Sequence, residues 1–204
     1  MHNKRPSEID SLDKENENLL FADEHKPDLT IRDRVFKRCI FLRLGLKKAK
    51  LDKVTFHQCI FQDCYLRETD FHNVDFTGSI FRDCNLGSAT FRSCRFRYAT
   101  FSRCLLNFRE IMQSLPSEPN IAILFLKSLQ RNAREVGDKQ FADKLLAQQI
   151  DVEKRELKNQ FWEDSSYYKE RYKGLDRWFS LFKFTELVLS GWFWGPRHEA
   201  KDTL

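Results

Sequence analysis

From Ile31 to Leu106 an apolar side chain stands at every fifth position, a period that narrows the possible folds more than anything else in the chain. Stepping from Phe36 gives Phe41, Leu46, Leu51, Phe56, Phe61, Leu66, Phe71, Phe76, Phe81, Leu86, Phe91, Phe96, Phe101 and Leu106. Two residues before each centre stands a small or medium side chain: Cys39, Leu44, Ala49, Val54, Cys59, Cys64, Thr69, Val74, Ser79, Cys84, Ala89, Cys94, Ala99 and Cys104. Alternate residues of a short strand point the same way, so both series face one interior. A strict period of five leaves the face of a 3.6-residue helix within two turns, which excludes an amphipathic helix. The period also accounts for the composition, since 19 phenylalanines are more than an ordinary core of this size uses.

A second order appears at steps of twenty. Leu46, Leu66, Leu86 and Leu106 form one column, Phe36, Phe56, Phe76 and Phe96 another, and Phe41, Phe61, Phe81 and Phe101 a third. Ile31, Leu51, Phe71 and Phe91 make a less uniform fourth. Four five-residue units per turn, with like side chains stacked about 4.8 Å apart as in any sheet, describe a square coil. Arg34 stands where a small inward residue is expected, which marks the first rung as an edge or cap.

With stretches such as Ala89-Thr90-Phe91-Arg92-Ser93, residues 31 to 106 resemble the pentapeptide-repeat family, whose unit centres on Leu or Phe with a small residue two before it. The resemblance implies a β-solenoid plus α fold. From the resemblance comes a right-handed quadrilateral β-helix of about four coils; the residues after Leu106 add a C-terminal helical hairpin and an aromatic-rich helix. The expected divisions are an acidic arm over 1–30, the β-helix over 31–108, the hairpin over 109–165 and an aromatic-rich amphipathic segment over 166–204.

The six cysteines all fall on the inward position two before a centre, where they act as small buried hydrophobes. Reduced thiols in a cytoplasmic protein are the expectation, because parallel side-chain vectors on adjacent rungs do not suit a disulfide. The five histidines are scattered; His57 and His72 follow centres and point outward in different columns. No nucleophile–base pair, glycine-rich phosphate loop or zinc-type ligand spacing can be assembled. The chain reads as non-enzymatic, with no catalytic residues, metal or cofactor.

Charge is unevenly spread. Residues 1–30 carry four basic and eight acidic groups, residues 31–110 sixteen and eight, and residues 111–204 fifteen and fourteen. A solvated surface accounts for most of this. The sharper reading is a partner-binding basic face at Arg82, Arg92, Arg95, Arg97 and Arg103, because guanidinium forks suit phosphate or carboxylate groups. The best-known role that the resemblance implies is protection of DNA gyrase by acidic repeat dimers that imitate DNA. The positive balance over 31–110 runs against that role; a protein partner is expected rather than direct nucleic-acid binding.

Residues 1–30 read as a flexible arm whose Leu19-Leu20-Phe21 cluster docks at the first rung, or as an acidic autoinhibitory strap over the basic coils. They lack the apolar core of a secretory signal. Beyond Leu106 the rhythm stops. Pro116 and Pro119 precede Asn120 as an N-cap, and Ile121, Leu124, Phe125, Ser128 and Leu129 recur at helical spacing. Gly137-Asp138 forms a turn, and a second helix runs from Lys139 to about Trp162. This hairpin covers the open solenoid end or binds a partner; the two readings weigh equally.

The tail from Tyr167 is rich in aromatics, with Tyr168, Tyr172, Trp178, Phe179, Phe182, Phe184, Trp192, Phe193 and Trp194. Trp178 to Gly195 is too interrupted, by Lys183 and Glu186, for the ~20 apolar residues of a spanning helix. A membrane or partner contact is therefore assigned to Trp178, Phe182, Trp192, Phe193 and Trp194, with a packed core helix as the alternative. Residues 120–195 also resemble the linker of membrane proteins that join pentapeptide repeats to a channel-like module. The chain ends at Leu204, too early for a pore, so it reads as a shortened relative. The expected function is a scaffold for an unidentified protein partner, cytoplasmic and peripheral to the inner membrane. Regulation of a nucleic-acid enzyme such as DNA gyrase through the solenoid face is the alternative.

Overall fold

A backbone feature recurring every five residues sets the architecture. In the computed structural model, which describes residues 9, 13–162 and 175–194, the second residue after every centre from Asn18 to Arg103 has a φ of about 50–71°. That left-handed conformation turns the chain at each corner and limits the strands to two or three residues. The strands are β1 (Glu15–Glu17), β2 (Leu20–Ala22), β3 (Thr30–Arg32), β4 (Val35–Lys37), β5 (Ile40–Leu42), β6 (Lys50–Asp52) and β7 (Thr55–His57). They continue as β8 (Ile60–Gln62), β9 (Asp70–His72), β10 (Ile80–Arg82), β11 (Asn85–Leu86), β12 (Thr90–Arg92), β13 (Thr100–Ser102) and β14 (Leu105–Leu106). Asn, Asp and Gly tolerate such corners best. Exposed Tyr98, at φ 57°, is a poor choice there. Tyr98→Asn is expected to stabilise the fold by about 1 kcal/mol, read as a rise in thermal midpoint.

All pairing is parallel and in a register of twenty, as in Phe36↔Phe56, Phe41↔Phe61 and Leu51↔Phe71. The chain therefore winds a four-sided β-solenoid. Side 1 carries β1-β4-β7, side 2 β2-β5-β8-β10-β13, side 3 β11-β14, and side 4 β3-β6-β9-β12. Single bridges through His25, Gly45, Tyr65 and Asn85 complete side 3, and Thr55–Asp75–Arg95 bridges extend side 1. Inside, rings on one side stack: Phe36 on Phe56 at 5.0 Å, Phe56 on Phe76 at 5.4 Å, Phe61 on Phe81 at 4.7 Å. Rings on adjacent sides meet edge to face, as Phe76 and Phe81 do at 69°. Both arrangements are favourable for the aromatic quadrupole.

The inward position two before each centre has a second task. Thr69 Oγ1 donates to the Leu46 carbonyl at 2.8 Å and Ser79 Oγ to the Phe56 carbonyl at 2.7 Å. The Cys64, Cys84 and Cys94 thiols point at the carbonyls of Phe41, Phe61 and Phe71 at 3.3–3.5 Å. A small side chain with a donor thus fills the slot and also reaches a backbone acceptor of the preceding coil.

Three expectations about the N-terminal side require correction. The solenoid has about five turns rather than four, because residues 15–34 form an additional first coil. Part of the segment expected as a flexible arm, or as a strap over the basic coils, is therefore a structural coil. β1 pairs with β4, and β2 with β5, because the edge of the next coil offers backbone groups that need partners whatever side chains lie below it. Phe21 is fully buried in the side 2 column. Where side 1 would continue with Phe, buried Asn16 instead donates to the Asp13 carbonyl at 2.7 Å. Ile9 is buried as well, and its N–H donates to the Glu24 carboxylate at 3.1 Å. Arg34 does not mark the first rung; it sits at the end of coil 1 and donates to the Arg32 and Asp33 carbonyls.

The other end is closed by helices. A short helix α1 (Phe108–Met112), which the sequence reading lacked, puts Ile111 in the core, and Ser114 Oγ donates to the Phe91 carbonyl at 3.2 Å. Helix α2 (Pro119–Glu135) starts at Pro119, with Glu118 rather than Asn120 at its N-cap position. Pro is suited to the first helical position, where its missing N–H costs nothing. Phe125 of α2 stacks 5.5 Å from Phe96 and so extends the side 1 column by one ring.

Polar side chains on the same helix face the exposed backbone of the last coil. Ser128 Oγ accepts from Phe101 N–H at 2.9 Å. Asn132 Oδ1 accepts from Cys104 N–H at 2.7 Å, while its Nδ2 donates to the Cys104 carbonyl at 2.9 Å. Glu135 accepts from Arg103 N–H and Ser102 Oγ. Of the two uses weighed for the hairpin, α2 therefore performs the covering of the solenoid end. Gly137, at φ 82°, then turns the chain into α3 (Lys139–Trp162).

The chain divides into compact units over 1–147 and 148–204. Within the second unit, α4 (Leu175–Trp194) meets the end of α3: Trp178 lies 5.7 Å from Phe161, Phe184 5.9 Å from Trp162, and Ser180 Oγ donates to Gln160 at 2.9 Å. Among the described residues no helix is long and apolar enough to cross a membrane.

Candidate functional site

The inward ladder offers no chemistry to solvent. Phe36, Phe41, Leu46, Phe56, Phe61, Leu66, Phe71, Phe76, Phe81, Leu86, Phe91, Phe96 and Phe101 are buried, while Leu106, on the last coil, is only partly covered. Cys39, Cys59, Cys64, Cys84, Cys94 and Cys104 are buried free thiols. Burial pushes the Cys94 thiol up to about 12, and neighbouring thiols together with burial push Cys84 up, so neither is an available nucleophile. Among the described residues no group of three His, Cys, Asp or Glu is arranged to hold a metal ion.

Outside, the register of twenty brings opposite charges together between coils. Arg43 forks onto Asp23 at 2.5 and 2.7 Å, and Arg103 onto Asp83 at 2.6 and 2.7 Å. Arg38 reaches Glu17, and Lys37 reaches Glu15 at 3.3 Å. Those hydrogen bonds hold the Asp23 and Asp83 carboxyls below the usual range. The acidic first coil thus lies against the basic second.

Four of the five arginines singled out as a partner-binding face sit in such pairs. Arg92 is 3.5 Å from Asp70, Arg95 3.7 Å from Asp75, Arg97 2.7 Å from Glu118, and Arg103 grips Asp83. The five do not converge, since Arg92 lies on side 4, Arg95 and Arg97 on side 1, and Arg82 and Arg103 on side 2. Exposed pairs of this kind contribute little to stability, so their main effect is to neutralise the surface. The outward histidines follow the same rule: His72 Nδ1 is 2.8 Å from Asp52 and His57 is 3.7 Å from Asp75. A cleft of about 320 Å³ between coil 5 and the α1–α2 loop is lined by Cys94, Arg95, Phe96, Arg97, Ser114 and Glu118. Its Arg97 is already paired with Glu118.

Among the described residues two apolar surfaces remain open. On side 2 the outward residues preceding the centres are Leu20, Ile40, Ile60 and Ile80, in direct register, with Ile40 41% exposed. The corresponding positions on side 4 are Thr30, Lys50, Asp70 and Thr90. The sequence reading missed this ladder because it treated outward positions only as carriers of charge; the same period of twenty would have shown it. The second surface is on α4, where Leu175, Trp178, Phe179 and Phe182 recur at helical spacing and are 60–86% exposed. The side chains of Trp192, Phe193 and Trp194, and all of Tyr167, Tyr168 and Tyr172, lie outside the described residues.

A family model described as a pentapeptide repeat region matches residues 30–111. Comparison with curated proteins finds no match. Among solved structures, the pentapeptide repeat protein Rfr23 of the cyanobacterium Cyanothece 51142 is similar at 14% identity and a TM-score of 0.42, over 45% of this chain and 76% of that one. A pentapeptide repeat protein of the Arabidopsis thaliana thylakoid lumen is similar at 15% identity and a TM-score of 0.28, over 48% and 76%. QnrB1, a plasmid-mediated fluoroquinolone resistance protein, is similar at 20% identity and a TM-score of 0.24, over 46% and 56%. The register of twenty, the left-handed corners and the match over residues 30–111 agree: this chain carries a pentapeptide-repeat region, folded as a four-sided β-solenoid.

Proposed function

We propose that the protein is a non-enzymatic scaffold whose capped solenoid is a rigid body and whose α4 docks it to another component of the cell. The observation that carries this reading is the stripe Leu175, Trp178, Phe179 and Phe182, which stays 60–86% exposed although Trp178 touches Phe161 at its edge and Ser180 and Phe184, on the other side of α4, already meet Gln160 and Trp162. Large aromatics left open at helical spacing mark an interaction site. A DNA-imitating role is not favoured, because the solenoid surface is a ladder of neutralised pairs rather than an acidic strip.

The test is cell fractionation of the full chain beside a Trp178→Ala/Phe182→Ala variant. The unaltered protein is expected in a membrane or high-mass fraction, and the variant in the low-mass supernatant. Identical distribution of the two refutes docking through α4.

A further inference from the structure

The last coil ends in a β edge, and the register of twenty identifies the groups that a further coil would use. Between coils 4 and 5 on side 1, Phe76 N–H donates to the Arg95 carbonyl and Gly78 N–H to the Arg97 carbonyl, both at 2.8 Å. Arg95 N–H donates back to the Val74 carbonyl at 2.9 Å. The corresponding groups of coil 5 are Phe96 N–H, Tyr98 N–H and the Cys94 carbonyl. Among the described residues none of these three has a hydrogen-bond partner. On sides 2 and 3 the equivalent groups, Phe101 N–H, Arg103 N–H and the Cys104 carbonyl, are taken by Ser128, Glu135 and Asn132 of α2. Residues 115–117, twenty past Arg95 to Arg97, do not cover the side 1 edge. They line the other wall of the 320 Å³ cleft and make no backbone hydrogen bond to coil 5. An unpaired edge of this kind is a template for an added strand.

We propose that the cleft is a docking slot for an extended segment of a partner protein, which joins side 1 as a parallel strand. The first residue of that segment accepts from Phe96 N–H and donates to the Cys94 carbonyl; the third accepts from Tyr98 N–H.

The side chains of the edge select the ligand. The first residue stands over Arg95, whose side chain is 73% exposed and reaches Asp75 only at 3.7 Å. Asp75 is itself held by Thr77 N–H at 2.9 Å and Thr77 Oγ1 at 2.6 Å, so the guanidinium donors of Arg95 are left for an acidic first residue. The second stands over Phe96, where Phe125 already stacks at 5.5 Å, so only a small side chain fits. Arg97 is occupied by Glu118 at 2.7 Å, so the third residue is not selected by charge. The ligand is therefore an extended peptide that reads acidic, small, then any residue.

Selection of displayed random linear peptides on the full chain tests this, followed by anisotropy titration of the best synthetic peptide. Enrichment of Asp or Glu followed by Gly, Ala or Ser is expected. Arg95→Glu should weaken binding by at least about 10-fold, and Lys in place of the acidic residue should restore it. Replacing the amide N–H of the first residue by an ester oxygen removes the donor to Cys94 without adding bulk. Binding should fall roughly 5- to 10-fold, whereas the same ester at the second residue, whose N–H faces away from the edge, should change nothing. Thermal melts check that Arg95→Glu folds, and the two esters decide the matter on the unaltered protein. No enrichment, or indifference to both the Arg95 reversal and the first ester, overturns the proposal. Synthetic peptides of residues 1–12 and 195–204 are titrated alongside; equal affinity for either assigns the slot to the chain itself and overturns a partner. Trp178→Ala/Phe182→Ala should bind the peptide unchanged, so this proposal and docking through α4 fail separately.

Discussion

Phe76→Ala is expected to lower the stability of the solenoid by about 3–5 kcal/mol, the range for removing a large aromatic from a packed core. Phe76 is fully buried at mid-stack, between Phe56 at 5.4 Å and Phe96 at 5.1 Å, with Phe71 and Phe81 edge-on at 5.4 Å. Parallel backbone hydrogen bonds fix the distance between coils, so neighbouring rungs cannot collapse into the gap, and the cost should sit high in that range. The measurement is chemical or thermal unfolding followed by circular dichroism. In a quasi-one-dimensional stack, each coil is stabilised chiefly by its neighbours. The variant should therefore lose cooperativity as well as midpoint. An unchanged melt contradicts the stacked interior.

Asn132→Leu should cost about 2–4 kcal/mol although it adds apolar surface to a helix that already buries Phe125 and Leu129. Asn132 is fully buried and satisfies both the N–H and the carbonyl of Cys104, on the last coil, where no further strand pairs with them. Leucine has neither donor nor acceptor, so both backbone groups would be left unpaired away from water. Hydrogen exchange should show the Cys104 amide losing protection ahead of the central coils. Leu124→Ala, on the exposed side of the same helix, should change stability by less than about 0.5 kcal/mol and serves as the control. Equal effects of the two substitutions contradict the capping role of Asn132.

The coiled middle was legible because a side chain on a short strand has only two directions to point, and a period of five returns the same direction on each side of a square. The columns from Ile31 to Phe101, and the inward cysteines, follow from that. Coil 1 was harder to see, since Asn16 and Lys26 occupy centres where Phe or Leu is expected. A signal was present nonetheless: Asn18, Asp23, Asp28 and Asp33 stand at five-residue steps, each with positive φ, and Asn and Asp are residues that accept that corner. The cross-coil charge pairs were legible in principle too, because residues twenty apart are neighbours. Reading sixteen basic groups against eight as a net field overlooked that each side chain interacts first with the coil next to it.

What the sequence alone determined is therefore everything that repeats: the interior ladders, the four sides and the register between coils. Repetition makes each coil the template for the next, so local pattern and long-range pairing coincide. The tertiary structure decided what happens where repetition stops. That Ser128, Asn132 and Glu135 face the last coil depends on how an aperiodic helix docks, and its docking is set by a backbone edge that carries no side-chain pattern. At the first coil the same unpaired groups recruit residues 15–34, because an open β edge needs hydrogen-bond partners irrespective of which side chains they bring.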